Sequence, residues 1–361
     1  MKAYIIAGEA SGDLHGGNLT RALKAQSPDL QLRGWGGDCM SDAGVEVTKH
    51  YRELAFMGFV EVLMNVRTIA RNFKTCKADI EAFDPAMLIL IDYPGFNLRM
   101  AKWAKEKGIK VVYYISPQLW AWKAGRIKQI QAFVDQMLVI LPFEKQWYGE
   151  RGVEVDFVGH PLLDAIEGDQ TPALSGLGDK PVIALLPGSR KQEIERMLPV
   201  MLGVAERFPD YQFVVAGAPS KTEADYPQLS GSNVKLVFGQ TYGLFKSATA
   251  GLVTSGTATL EAALHGLPEA VLYKGSPISY AIAKRLVKIK YISLVNLIVD
   301  REVVRELIQH ECNVDTAAEA LEEILPGGRR HTQMEQDLQA LHQQLGGPGA
   351  SARAAQLILE A

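Results

Sequence analysis

The feature that most limits the fold of this chain is a set of short, wholly apolar runs, each followed by a turn signal and a longer helix-like stretch. Ala3 to Ala7, Met87 to Ile91, Val111 to Ile115 and Met137 to Leu141 form a first series. Runs this short, with no polar alternation, predict strands buried on both faces, and their alternation with helical segments predicts βαβ units around a mostly parallel sheet. Val182 to Leu186, Gln212 to Ala216, Val234 to Phe238, Gly251 to Thr254 and Ala270 to Tyr273 predict a second sheet of the same kind. Between the two series, Glu167 to Lys180 is rich in breakers and poor in large apolar side chains, as a linker would be. From Asp315 the chain reads as helical over Ala317 to Leu325, Met334 to Leu345 and Ala352 to Leu359, the last set off by Gly346-Gly347-Pro348-Gly349. The expected organisation is α/β, with one doubly wound Rossmann-like domain over 1–168, a second over 179–312, and helices over 313–361 that pack back on the first. Ligands are expected at the carboxyl ends of the strands, in a cleft that the two domains face.

A length of 361 residues suits two cores. With 47% hydrophobic and 22% charged residues and a formal net charge of -3, the balance gives no reason to expect a nucleic-acid partner. Cys39, Cys76 and Cys312 are far apart and share no ligand spacing, which argues against a zinc site or a disulfide framework and fits a reducing cytoplasm. The first apolar run is too short for a signal-peptide core, and no run approaches ~18 uninterrupted apolar residues, so only peripheral membrane contact is left open.

Chemistry is expected in the loops. The first strand leads into Gly8-Glu9-Ala10-Ser11-Gly12-Asp13, a loop that suits a phosphate or sugar oxygen at a helix start or is simply a tight turn. Asp92 follows the strand ending at Ile91, and Pro94-Gly95 turns the chain beside it. That is the place for a general base acting on a sugar hydroxyl, or for a helix-capping acid; Glu9, Asp13 and Glu61 are weaker candidates. Trp120 and Trp122, with Lys123, Arg126 and Lys128, fit either core packing or an amphipathic acceptor face. Leu54 to Met64, followed by Arg67, Arg71, Lys74 and Lys77, reads as a surface for acyl chains and anionic head groups or as a buried helix with a basic turn after it.

In the second half, Gly188, Ser189 and Arg190 form a strand-to-helix loop able to hold a diphosphate through backbone, hydroxyl and guanidinium, without a metal. The chain also contains no Asp-x-Asp dipeptide. Ser255, Gly256 and Thr257 open another helix where phosphate is welcome, and Glu261, about one turn in, is placed to accept from a ribose hydroxyl.

Nine segments occur in order: Gly8 to Asp13, Met57 to Leu63, Ile91 to Asn97, Ser116 to Trp122, Leu141 to Glu144, Val158 to Pro161, Leu185 to Arg190, Ser255 to Thr257 and Ser293 to Leu297. Together they resemble the bacterial lipid-A-disaccharide synthases, over nearly the whole chain. The resemblance implies the B-type glycosyltransferase fold and an inverting, metal-independent transfer with no cofactor. The reaction so implied joins UDP-2,3-diacylglucosamine to 2,3-diacylglucosamine 1-phosphate (lipid X), at the cytoplasmic face of the inner membrane. It also implies Asp92 and Arg190 as catalytic residues, and Gly188, Ser189, Arg190, Ser255, Gly256, Thr257, Glu261 and Asn296 around UDP. Glu9, Ser11, Met57, Phe59, Val60, Val62, Leu63, Asn97, Trp120 and Trp122 would serve the acceptor and its acyl chains. Members form homodimers that exchange carboxyl-terminal segments, a use for the helices after Asp315. Two rival readings are a UDP-N-acetylglucosamine 2-epimerase, which has no need of the Leu54 to Met64 surface, and a non-catalytic sugar-nucleotide-binding protein.

Overall fold

A computed structural model describes residues 1–54, 66–121, 124–226, 229, 233–276, 280, 285 and 289–360. Two compact units emerge, one formed by Met1–Ala165 with Leu345–Ala361 and the other by Ile166–Gln344. The first contains β1 (Lys2–Ala7), α1 (Ala10–Gln26), β2 (Gln31–Gly36), α2 (Asp38–Asp42), β3 (Glu46–His50), α3 (Val66–Phe83), β4 (Met87–Ile91), α4 (Pro94–Glu106), β5 (Lys110–Tyr114), α5 (Ile127–Phe133), β6 (Gln136–Val139), α6 (Pro142–Gly149), β7 (Asp156–Phe157) and α7 (Leu162–Glu167). The second contains β8 (Val182–Leu186), α8 (Lys191–Ala205), β9 (Gln212–Gly217), β10 (Val234–Phe238), α9 (Thr241–Ser247), β11 (Ala248–Thr254), α10 (Thr257–Leu264), β12 (Glu269–Tyr273), α11 (Leu294–Val299), β13 (Arg305–Ile308), α12 (Val314–Ile324) and α13 (His331–Gln344), and α14 (Ala350–Glu360) ends the chain.

Both sheets are parallel, in the orders β3-β2-β1-β4-β5-β6-β7 and β10-β9-β8-β11-β12-β13. The order reverses beside β1 in one and β8 in the other, which is the doubly wound arrangement expected from the apolar runs. In the first sheet Ile5 of β1 sits between Gly34 of β2 and Ile89 of β4. Every residue of β4 and of β8 is buried, since helices cover both faces of each sheet.

The strands that the apolar runs did not announce are β2, β3, β7 and β13, three of them at a sheet edge; the fourth edge, β10, was announced by Val234 to Phe238. Each carries polar residues because one side of it meets charge or solvent. Arg33 on β2 donates to Asp79 of α3 at 2.6 Å, and Thr48 of β3 donates to the same carboxylate at 2.8 Å. Such strands alternate, and a search for unbroken apolar runs passes over them.

The helical tail does not pack back on the first unit as one piece. Helix α12 lies against α8 and β12, and α13 against α10, so both belong to the second unit; only α14 returns, along α1. The reason is local. The Asp164 carboxylate accepts from the backbone N-H groups of Gly349, Ala350 and Ser351 at 2.6, 3.1 and 2.8 Å and so caps the start of α14. Arg353 donates to the Val158 carbonyl at 2.8 Å, and the His160 N-H donates to the Leu345 carbonyl. Two buried imidazoles belong to this unit: burial pushes His15 down to about 4 and His160 down to about 3, so both are neutral in the fold.

Glu269, at the start of β12, is fully buried with neither carboxylate oxygen hydrogen-bonded. Burial raises its pKa well above the ordinary value of 4.5, so the folded chain holds the acid neutral while the unfolded chain gives up the proton. Stability is therefore lost as pH rises from about 4.5 toward that raised value. Glu269→Met is expected to stabilise the protein by about 1–3 kcal/mol near pH 7.5, several degrees in Tm, with the gain shrinking below pH 4.5. Thermal melts at both pH values check this; a gain that does not change with pH would mean that the carboxyl is not neutral in the fold.

Candidate active site

The first cluster surrounds the carboxyl ends of β1, β4 and β5. Strand β4 delivers the chain to Asp92 and Tyr93, which both adopt left-handed backbone, with φ of 42° and 47°. For residues other than glycine this geometry costs about 1–2 kcal/mol each and needs outside support. Hydrogen bonds supply it: the Asp92 carbonyl accepts from the Tyr113 hydroxyl at 2.6 Å and from Asn97 Nδ2 at 2.8 Å, and Asn97 Nδ2 also donates to the Ile91 carbonyl at 3.1 Å. The Asp92 N-H in turn donates to the Tyr114 carbonyl. Helix α4 then begins with Tyr93 at its N-cap and no side chain capping it, so Asp92 is not a helix cap.

Burial raises the Asp92 carboxyl, the negative charge of Glu9 raises it further, and a hydrogen bond from the Tyr93 backbone opposes both, leaving it at about 7. A carboxyl balanced near neutrality is suited to exchange a proton with a substrate hydroxyl. Glu9 is the N-cap residue of α1 and Ser11 is exposed on its first turn. The ring of Tyr93 lies over Gly8 so closely that a Cβ there would stand 2.4 Å from ring atoms, so the glycine makes room for the turn that carries Asp92.

Three residues from this part of the sequence also hold the fold together. Asn97 was expected to meet the acceptor, yet it is fully buried and its amide nitrogen is engaged with two backbone carbonyls. Asp13 is also buried, and it accepts from the N-H groups of Gly37, Cys39 and Met40 at 2.7, 3.1 and 3.0 Å, which ties α1 to the start of α2. Trp120 donates its indole N-H to Glu144 at 3.3 Å and packs edge-on against Phe143, so this ring is held as a part of the loop after β5. Glu144 is raised to about 7 by burial and accepts from the Ile140 and Leu141 N-H groups. Met57, Phe59, Val60, Glu61, Val62, Leu63 and Trp122 lie outside the described residues.

The second cluster is at the carboxyl ends of β8 and β11. Gly188 takes φ of 99° in the turn before α8, and a Cβ there would meet Glu193 at 2.5 Å. Glu193 accepts from the N-H groups of Ser189 and Arg190 at 3.0 and 3.1 Å and from the Arg190 guanidinium at 3.1 Å. The backbone donors expected for a diphosphate are thus already occupied by the helix's own third residue, and what faces solvent is the exposed Ser189 and an Arg190 side chain 66% exposed. Glu193 stands three residues after the N-cap residue Arg190, a spacing from which its carboxylate reaches back to the N-cap N-H.

Helix α10 is different. Its N-cap is Gly256, in extended backbone with no side-chain cap, and both Gly256 and Thr257 are exposed. An uncapped helix start with donors facing water is a ready anion site. Ser255 is anchored beside it, its N-H on the Leu272 carbonyl at 2.9 Å and its hydroxyl on the Ile292 carbonyl at 3.4 Å. Glu261 is half-buried, and burial raises its carboxyl.

Asn296 was expected in direct contact with the nucleotide. It is fully buried: Oδ1 accepts from the Val303 and Val304 N-H groups at 2.7 and 3.0 Å, and Nδ2 donates to the Val304 carbonyl and to Glu306 at 2.8 and 2.9 Å. A primary amide has two donors and two acceptor lone pairs, so none is left for a ligand. Glu306 also accepts from the Ile292 and Ser293 N-H groups, each at 2.9 Å, and with Asn296 it fixes the loop that receives the Ser255 hydroxyl. Neither Glu306 nor Tyr113 was found from sequence, since the first follows no motif and the second sits inside an apolar strand where it reads as core. Among the described residues no group of three or more His, Cys, Asp or Glu converges as a metal site would.

A family model described as lipid-A-disaccharide synthetase matches residues 3–361. The chain is 41% identical over 370 residues to the lipid-A-disaccharide synthase of Trichlorobacter lovleyi, covering 99% of this chain and 97% of that one. It is 42% identical over 368 residues to that of Syntrophus aciditrophicus, covering 98% and 96%. Two solved structures resemble it across their length. They are the UDP-GlcNAc 2-epimerase from Neisseria meningitidis bound to UDP-GlcNAc, at a TM-score of 0.69, 14% identity and 100% coverage of both chains, and the glycotransferase of kitacinnamycin, at 0.70, 14%, and 99% and 98%. At such identities the likeness is one of fold, which is the B-type glycosyltransferase fold. Since the family model spans nearly every residue and relatives above 40% identity cover almost the whole chain, the chain belongs to the lipid-A-disaccharide synthase family.

Proposed function

We propose that this enzyme joins UDP-2,3-diacylglucosamine to 2,3-diacylglucosamine 1-phosphate, giving the β-1,6-linked disaccharide 1-phosphate and UDP. The observation that carries the mechanism is the Asp92 carboxyl, held at about 7 at the end of a buried strand. In its ionised form it takes the proton of the acceptor's 6-hydroxyl as that oxygen bonds to the anomeric carbon. The carbon-oxygen bond to the diphosphate breaks, and its electron pair leaves with UDP. The open start of α10 with Ser255 and Thr257, and the guanidinium of Arg190, suit the charge that develops on the departing diphosphate. Glu261 suits a ribose hydroxyl, and Glu9 and Ser11 suit the acceptor sugar.

No helix among the described residues is long and apolar enough to cross a membrane. Peripheral attachment to an anionic surface is supported by α3, α4 and α5, where cations lie over half-buried rings: Arg99 over Phe73 and Lys77 over Trp103, each at 5.5 Å, and Lys102 over Phe133 at 6.0 Å. Exposed Arg71 and Lys74 flank them. Rings set among cations suit the boundary between lipid head groups and acyl chains.

Incubation with both acylated substrates and mass spectrometry tests the reaction, and an epimerised sugar nucleotide in a parallel incubation with UDP-N-acetylglucosamine would overturn it. Asp92→Asn is expected to lower turnover at least ~100-fold with UDP binding nearly unchanged, whereas Arg190→Ala should weaken UDP binding as well, by isothermal titration. Because the ionised form of Asp92 is the active one, kcat/KM should fall as pH drops through about 7. Glu9→Gln removes a charge that raises Asp92, so this limb should move to lower pH; a limb that stays in place would separate Glu9 from Asp92. Binding to vesicles containing an anionic lipid should weaken with salt and drop about tenfold when Lys74 and Lys77 are changed to Glu, read by co-sedimentation.

A further inference from the structure

Tyr113 stands in the middle of the first sheet, fully buried and paired in register with Leu90 of β4. Packing at such a position asks only for a ring, and phenylalanine would fill it. The hydroxyl instead reaches one turn of chain on the neighbouring strand, the Asp92 carbonyl, at 2.6 Å. Asn97, equally buried, reaches the same oxygen from α4 at 2.8 Å.

That oxygen belongs to the peptide between the two left-handed residues. Its direction is set by ψ of Asp92 and φ of Tyr93, so a carbonyl gripped from two sides fixes both torsions. The Cα–Cβ bond of Asp92 is fixed with them, and so is the direction in which the carboxylate leaves the sheet. Left-handed backbone in a residue with a Cβ relaxes when its support is removed. A relaxed turn would swing the carboxylate away from the line of proton transfer without disturbing either substrate's binding surface.

We propose that Tyr113, acting with Asn97, is a positioning residue that sets the direction of the Asp92 carboxylate through a clamp on its backbone carbonyl. This rests on the reading of Asp92 as the general base. The role belongs to side chains that touch neither the sugar nor the diphosphate, and it gives Asn97 a part in the reaction that replaces acceptor contact.

The test uses the full chain and four variants: Tyr113→Phe, Asp92→Asn, the two combined, and Asn97→Ser. For Tyr113→Phe, kcat should fall about 10- to 100-fold while KM for each substrate stays within about twofold, the pattern of a misplaced reacting group. In the Asp92→Asn background the same change should cost nothing further, because it acts only through that carboxylate. UDP binding should match the wild type, and thermal melts should show one cooperative transition lowered by no more than the loss of one buried hydrogen bond. Wild-type kcat in Tyr113→Phe, or an equal loss in both backgrounds, would overturn the clamp. If Tyr113→Phe does not fold, Asn97→Ser is expected to give the same fall in kcat with KM unchanged, and wild-type turnover there would count against the proposal equally. Should Asp92→Asn alone turn over like the wild type, the base reading fails on that single variant and the positioning role falls with it.

Discussion

Strand β4 has a strand on each edge and helices over each face, so its residues have no freedom to drift and the chain must turn within two residues of its end. The sharpness of that turn is what makes Asp92 chemically unusual. A gentler exit would carry the carboxylate into water and return it to the ordinary range for an aspartate. Instead the turn keeps it beside buried surface and near the charge of Glu9, at about 7. The helices, the register of β1 against β4 and the missing side chain at Gly8 all serve the geometry of this one exit.

Much of this was legible in the sequence, because strands buried on both faces are written as unbroken apolar runs. Val182 to Leu186 and Met87 to Ile91 needed no correction at all. Strands with polar residues were not legible, since Arg33 of β2 and Thr48 of β3 look like loop residues until Asp79 is brought to them by α3. The site was legible in its loops and less so in its side chains. Asp92, Ser255 and Arg190 could be named as candidates because each stands at a strand end or a helix start. Asn97 and Asn296 were named for ligand contact, and only the hydrogen bonds of the fold show that the Asn296 amide is fully occupied and that the Asn97 amide nitrogen holds two backbone carbonyls. Motif and spacing cannot separate a residue that touches a ligand from one that shapes the loop touching it.

The second unit contains two helix starts with the same strand-turn-helix design and different electrostatics. At α8 the Glu193 carboxylate sits on the first N-H groups, so the positive end of the helix is already neutralised from within. At α10 no side chain does this, and the residue at the cap is a glycine that leaves the approach clear. An anion entering the second unit therefore meets one helix end that is open and one presented through an arginine side chain. The difference comes down to one glutamate three residues into a helix.

The return of α14 to α1 has a consequence for how the molecule is made. The second unit is a single unbroken stretch, Ile166–Gln344, and everything it needs is synthesised before the last helix. The first unit is split, and the carboxylate of Asp164 waits without the N-H groups of Gly349, Ala350 and Ser351 until the final residues emerge. Domains made from contiguous chain usually complete in order from the amino terminus during translation. In this protein the order of completion runs the other way, and the half that carries Asp92 is sealed last.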